Sequence, residues 1–76
     1  MTRPAGDILR EYRLHRGMTQ VDLARRSKVC LRTIHALESG TSRGRMEVRK
    51  KVLVALGVNP WQQHHRRIFG PLQGES

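Results

Sequence analysis

Glycines punctuate this chain at intervals too short for a long helix, and that limits what it can build. Gly17, Gly40, Gly57 and Gly70-Pro71 each follow residues with apolar positions at helical spacing, where a glycine closes a helix. The intervals leave room for helices of about two or three turns each. At 76 residues the chain supports one small domain. A core of that size contributes about 3–5 kcal/mol, so association with a second copy is expected to add much of the stability.

Several classes drop out. Cys30 is the single cysteine, which excludes an internal disulfide framework and a multi-cysteine zinc site. The longest apolar run, Val52 to Leu56, falls far short of the roughly 20 residues that a membrane span needs. No apolar stretch stands behind Arg3, so no secretory signal is read there, and a cytoplasmic protein is the expectation.

Charge narrows the field further. Fifteen Lys and Arg face six Asp and Glu, a formal +9 at pH 7. Self-repulsion at that density costs stability, which points to an anionic partner: nucleic acid, a membrane surface or an acidic protein. Nine of the basic residues and two of the acids lie between Arg25 and Lys51, so the field is concentrated there. The 37% of hydrophobic residues suffice for a folded chain.

In order, residues 1–6 read as a flexible arm, with Asp7 capping a helix whose apolar positions are Ile8, Leu9 and Tyr12. Thr19 offers a cap oxygen with Asp22 three positions on, opening a short second helix from Gln20 to Arg26. Ser27 to Cys30 make a tight connection in which Val29 plugs the gap between helices and Cys30 acts as a small filler. A third helix spans 31–39 with Ile34 and Leu37 inward. A fourth runs from Met46 to Leu56, where β-branched residues also admit a strand but the spacing and Gly57 favour helix. Asn59-Pro60 caps and opens a fifth helix bearing Trp61, Ile68 and Phe69, and 70–76 form a flexible tail. Trp61 is expected in the core, and Ile68 with Phe69 as an exposed apolar pair suited to a dimer contact. The sum is an all-α domain of five short helices over 7–69.

Met18-Thr19-Gln20-x-x-Leu23-Ala24, followed by Val29-x-x-x-x-Ile34-x-x-Leu37-Glu38-x-Gly40, resembles the helix-turn-helix of the Cro/CI-type (XRE, lambda-repressor-like) DNA-binding family. The likeness reaches back to Leu9-x-x-x-Arg13 and Gly17, and forward to Ala55-Leu56-Gly57-Val58 and Trp61. It implies a helix-turn-helix over about 19–39, with 31–39 as the recognition helix. Two helices joined by a short turn hold the second at a steep angle, so its outer face fits a major groove about 12 Å wide. The chain departs from the pattern at Lys28, where members carry Gly, and at Arg45 and Arg49, where they carry a Ser cap and an apolar residue. A turn shaped differently around Lys28 is therefore expected.

On that resemblance Arg32 is the first choice for base readout, since a guanidinium donates twice to guanine O6 and N7. Phosphate contact alone is the competing reading. His35, one turn on, is either a base or phosphate donor or a solvent-facing polar residue. Leu31 either meets a thymine methyl or packs on a neighbour. Gln20 falls where the family places a phosphate contact, and Lys28, Arg43 and Arg45 flank the recognition helix as phosphate ligands. The resemblance also sets Arg13 opposite Glu38 as a structural ion pair. Arg49-Lys50-Lys51 reads as a solvated helix face. His64-His65 offers no third ligand at a sensible spacing, so neither metal nor cofactor is expected.

The implied function is a sequence-specific regulator of transcription, a repressor in kind. It is expected to act as a homodimer on a pseudo-palindromic operator in double-stranded DNA. An antitoxin-type protein-interaction module on the same fold is the alternative, marked by an exposed apolar patch on the first or fifth helix. A third reading is RNA-binding or architectural. No nucleophile–base arrangement suggests an enzyme.

Overall fold

The computed structural model describes residues 5–71, which form five α-helices and no strand among the described residues. They are α1 (Ala5–His15), α2 (Gln20–Ser27), α3 (Leu31–Ser39), α4 (Met46–Ala55) and α5 (Trp61–Phe69). Residues 1–4 of the expected arm and 72–76 of the expected tail lie outside the described residues. The all-α, five-helix architecture is the one read from the sequence.

Each helix has a local cause. Thr19 and Asp22 form a reciprocal capping box: the Asp22 N–H donates to Thr19 Oγ1 at 3.0 Å and the Thr19 N–H donates to Asp22 Oδ2 at 2.9 Å. Those bonds, the one from the Thr19 backbone first, hold the Asp22 carboxyl below its ordinary range. Lys28 ends α2 with φ 59° and ψ 32°, and its N–H returns to the Ala24 carbonyl. The turn thus keeps the left-handed shape that glycine adopts freely, contrary to the expected reshaping. Lys28 bears a steric cost of about 1–2 kcal/mol for it. Gly40 closes α3 at φ 80°.

Two ends differ from the sequence reading. The fifth helix begins at Trp61 with Pro60 itself in the cap position, so the proline precedes the first turn. At the N-terminus, Ala5 and Gly6 belong to α1 and are not part of an arm. Gly6 is buried, and a Cβ there would lie 2.7 Å from the Glu38 carbonyl carbon and 2.8 Å from the Leu37 oxygen. The missing side chain is what lets α1 seat against the end of α3.

Leu9, Leu23, Ile34, Leu37, Val52 and Leu53 form the enclosed centre, drawn from the first four helices. Ile68 and Phe69 complete it from α5, each only 4% exposed. They are therefore core residues and not the exposed dimer pair expected from their place near the end of the chain. Trp61 sits half-buried at the edge of this core, with the Lys50 ammonium 5.6 Å from its ring centroid. Helix α1 packs on α3 and α5, α2 on α3 and α4, and α4 on α5. The second helix therefore has α3 on one flank and α4 on the other.

Gly6→Ala tests the close approach. Alanine in an open helix interior stabilises by about 1 kcal/mol relative to glycine. Here the added methyl should reverse that sign and cost about 1–3 kcal/mol. Thermal unfolding of the variant is expected to show a lowered midpoint, and a raised one would mean that the two helices stand further apart.

Candidate nucleic-acid interface

The pair α2–turn–α3 is anchored from within. Leu23 and Ala24 of α2 and Ile34 and Leu37 of α3 are buried, and half-buried Val29 packs between them on the core. Ser27, also buried, donates its hydroxyl to the Leu23 carbonyl at 2.7 Å, so the end of α2 encloses no unpaired polar group there. With Ile34 and Leu37 inward, helical periodicity turns Arg32, His35 and Ser39 outward, and all three are exposed. Arg32 and His35 stand three apart and so share one face.

Around this ridge the expected residues fall out differently. Leu31 is half-buried against the core and presents only part of its side chain. Cys30 is exposed at the cap of α3 and makes no side-chain cap bond, so it is not the filler expected of it. Lys28 in the turn and Arg45 at the start of α4 are exposed. Arg43 is committed elsewhere: its Nη2 donates to the Phe69 carbonyl at the end of α5.

Behind the ridge lies a buried ion pair. Arg13 Nε and Glu38 Oε2 are 2.7 Å apart, and Arg13 Nη2 donates to Glu38 Oε1 at 3.1 Å. The two side chains are 8% and 5% exposed. Arg13 Nη1 donates to the Met18 carbonyl at 2.7 Å, and Gln20 Nε2 donates to Glu38 Oε1 at 3.3 Å. One network thus joins α1, the connection before α2, the first residue of α2 and the last turn of α3. The sequence offered a signal for the extra members: a guanidinium has five N–H donors, more than one carboxylate can use.

The basic run on α4 divides. Lys50 and Lys51 are exposed, whereas Arg49, expected on the same solvated face, turns in. Its Nη2 donates to the Gly44 carbonyl at 2.8 Å and its Nε to the Arg43 carbonyl at 2.9 Å, with the guanidinium 5.3 Å from the Phe69 ring centroid. Desolvation, aided by the nearby Arg43 charge, lowers the Arg49 pKa from its ordinary value. A charge with carbonyl partners thus fills a position where members of the family carry an apolar residue.

The adjacent histidines face different surroundings. His65 is fully buried, its Nδ1 3.0 Å from the Gly70 carbonyl and its Nε2 3.4 Å from Arg49 Nη1. A carbonyl only accepts and a guanidinium only donates, so this geometry selects the Nδ1–H tautomer. His64 Nδ1 lies 3.0 Å from the Tyr12 hydroxyl on α1. Among the described residues no group of three or more His, Cys, Asp or Glu is arranged to hold a metal ion.

A family model described as a helix-turn-helix domain matches residues 5–65. The chain belongs to that helix-turn-helix family, one of XRE/Cro-type domains. No curated protein and no solved structure matches it. Within the matched residues, α2 and α3 are consecutive helices joined by a short connection that begins at Lys28. No described helix is long and apolar enough to cross a membrane.

Removing one partner of a buried ion pair strands the other charge, at a cost of about 3–5 kcal/mol. Glu38→Ala is expected to lower the unfolding midpoint by many degrees, and Glu38→Gln, which keeps hydrogen-bond capacity, by less. Calorimetry of the two variants checks this. A midpoint within a degree of the parent for Glu38→Ala would show that the pair does not hold the helices.

Proposed function

We propose that this protein is a sequence-specific DNA-binding regulator of transcription, a repressor, that lays α3 in the major groove. The observation that carries the reading is the outer face of α3. Arg32 and His35 project from a helix whose other face is locked in the core and which begins three residues after Lys28. In this reading Arg32 donates to guanine, His35 to a neighbouring base or phosphate, and the exposed part of Leu31 meets a thymine methyl. Lys28 and Arg45 take phosphates on either side. Gln20 contributes at the start of α2, and Arg43 uses the donors that Phe69 leaves free.

A homodimer on a pseudo-palindromic duplex follows, with the two recognition helices about 34–36 Å apart in successive major grooves. A cytoplasmic setting, bacterial or phage-encoded, goes with that role. On this reading the side chains serve binding, and the protein is not an enzyme. The antitoxin-type alternative called for an apolar patch on α1 or α5. Ile68 and Phe69 lie in the core, and among the described residues of α1 and α5 the exposed large hydrophobic is Leu14.

Fluorescence anisotropy on a preferred duplex and on a random one tests the assignment. About five to eight phosphate contacts should give a slope of log affinity against log salt of roughly −4 to −7. Arg32→Ala should lose about 1–3 kcal/mol of discrimination at one base pair, while Arg45→Ala should weaken both duplexes alike. Equal losses on both duplexes for Arg32→Ala would place that residue among the phosphate ligands.

A further inference from the structure

A second surface lies on the other flank of α2. Where the end of α2 crosses the solvent face of α4, an open groove of about 600 Å³ runs between Arg26, Lys28, Lys50, Lys51, Val54 and Ala55. Its floor is apolar: Val54 is 58% exposed, and Ala55 lies beside it. The stems of Lys50 and Lys51 add to the lining, with the Lys50 ammonium also lying 5.6 Å from the Trp61 ring centroid. Four cations border the groove against one acid, Glu47, which stands 3.9 Å from Lys51 in an exposed pair of little energetic weight. Arg26 and Lys28 are both exposed, Arg26 close enough to Asp22 to help hold its carboxyl below the ordinary range.

We infer that this groove docks an acidic amphipathic segment of a partner protein, apolar side chains on Val54 and Ala55 and carboxylates on the cationic rim. The floor offers a partner's apolar side chains a place to be buried, and the one-sided rim sets the sign of the partner's charge. Phosphates would use the rim but gain nothing from the floor. The position argues the same way, because α2 stands between this groove and α3. The inference does not rest on DNA binding. A groove this short suits a transient contact, steered by charge and seated by a few side chains in the manner of a helix laid in a cleft.

The test uses the full chain, labelled with ¹⁵N, and a synthetic peptide of about 15 residues with Leu at helical spacing on one face and Glu on the other. A second peptide replaces every Glu with Lys. Saturable amide shifts confined to 26–28 and 47–55, absent with the Lys peptide and weakened about tenfold by raised salt, are expected. Val54→Asn changes an exposed residue and no charge, and should weaken the peptide at least about fivefold, as should Lys50→Gln with Lys51→Gln. Thermal melts confirm that the variants remain folded. The inference fails if no saturable shift appears by about 1 mM peptide, a limit set by the weakest specific contacts. It also fails if the Lys peptide binds equally, or if the shifts centre on Arg32 and His35. A random duplex that perturbs the same groove amides while the acidic peptide does not would assign the groove to the DNA footprint and overturn the inference as well.

Discussion

A guanidinium and a carboxylate enclosed between α1 and α3 set the geometry on which the rest depends. An isolated buried charge is costly, and a pair is tolerated only when its remaining donors and acceptors are also met. Here they are: three nitrogens of Arg13 find Glu38 and the Met18 carbonyl, and Glu38 takes the Gln20 amide as well. The apolar centre supplies the bulk driving force for folding, but apolar contacts are non-directional. The ion pair is directional, and it reaches the start of α2 and the end of α3 together. It therefore acts on the angle of the helix pair, the quantity that decides whether α3 can present its outer face.

Two populations stand out among the basic residues described. Arg13, Arg16, Arg43 and Arg49 all donate to backbone carbonyls, and most of those carbonyls close helices or line connections. Arg16 Nε reaches the Leu56 carbonyl just past α4 at 2.5 Å, Arg43 takes the Phe69 carbonyl, and Arg49 holds those of Arg43 and Gly44. Cations suit such sites, because the last carbonyls of a helix lack partners and carry its negative end. In a domain with a small core these arginines serve as cross-links between elements. The second population, Lys28, Arg32, Arg45, Lys50 and Lys51, points to solvent and generates the field available to partners. Net charge alone does not separate the two.

Much of the fold was legible because its signals are local. Helical spacing placed Leu9, Leu23, Ile34 and Leu37 inward, glycines marked the ends, and Thr19 with Asp22 announced a capping box. What was not legible depends on contacts distant in sequence. Gly6 looks like part of an arm until the carbonyls of Leu37 and Glu38 are brought against it. Ile68 and Phe69 look exposed because they come late, yet α5 folds back on α1 and α4 and carries them into the centre. Arg49 cannot be told from Lys50 and Lys51 by composition, since only the position of the 41–45 connection gives it carbonyls to bind. At the candidate site, the exposure of Arg32 and His35 follows from periodicity. The commitment of Arg43 to α5 and the Gln20 bond to Glu38 do not, because each joins elements whose approach no local rule specifies.

The central claim, that the face bearing Arg32 and His35 reads base pairs, is tested most directly by selecting bound sites from a pool of random duplexes. The account predicts enrichment of one motif with two-fold symmetry, its half-sites centred about 10 base pairs apart. A bound pool with no enriched motif, as random in sequence as the starting one, would contradict it.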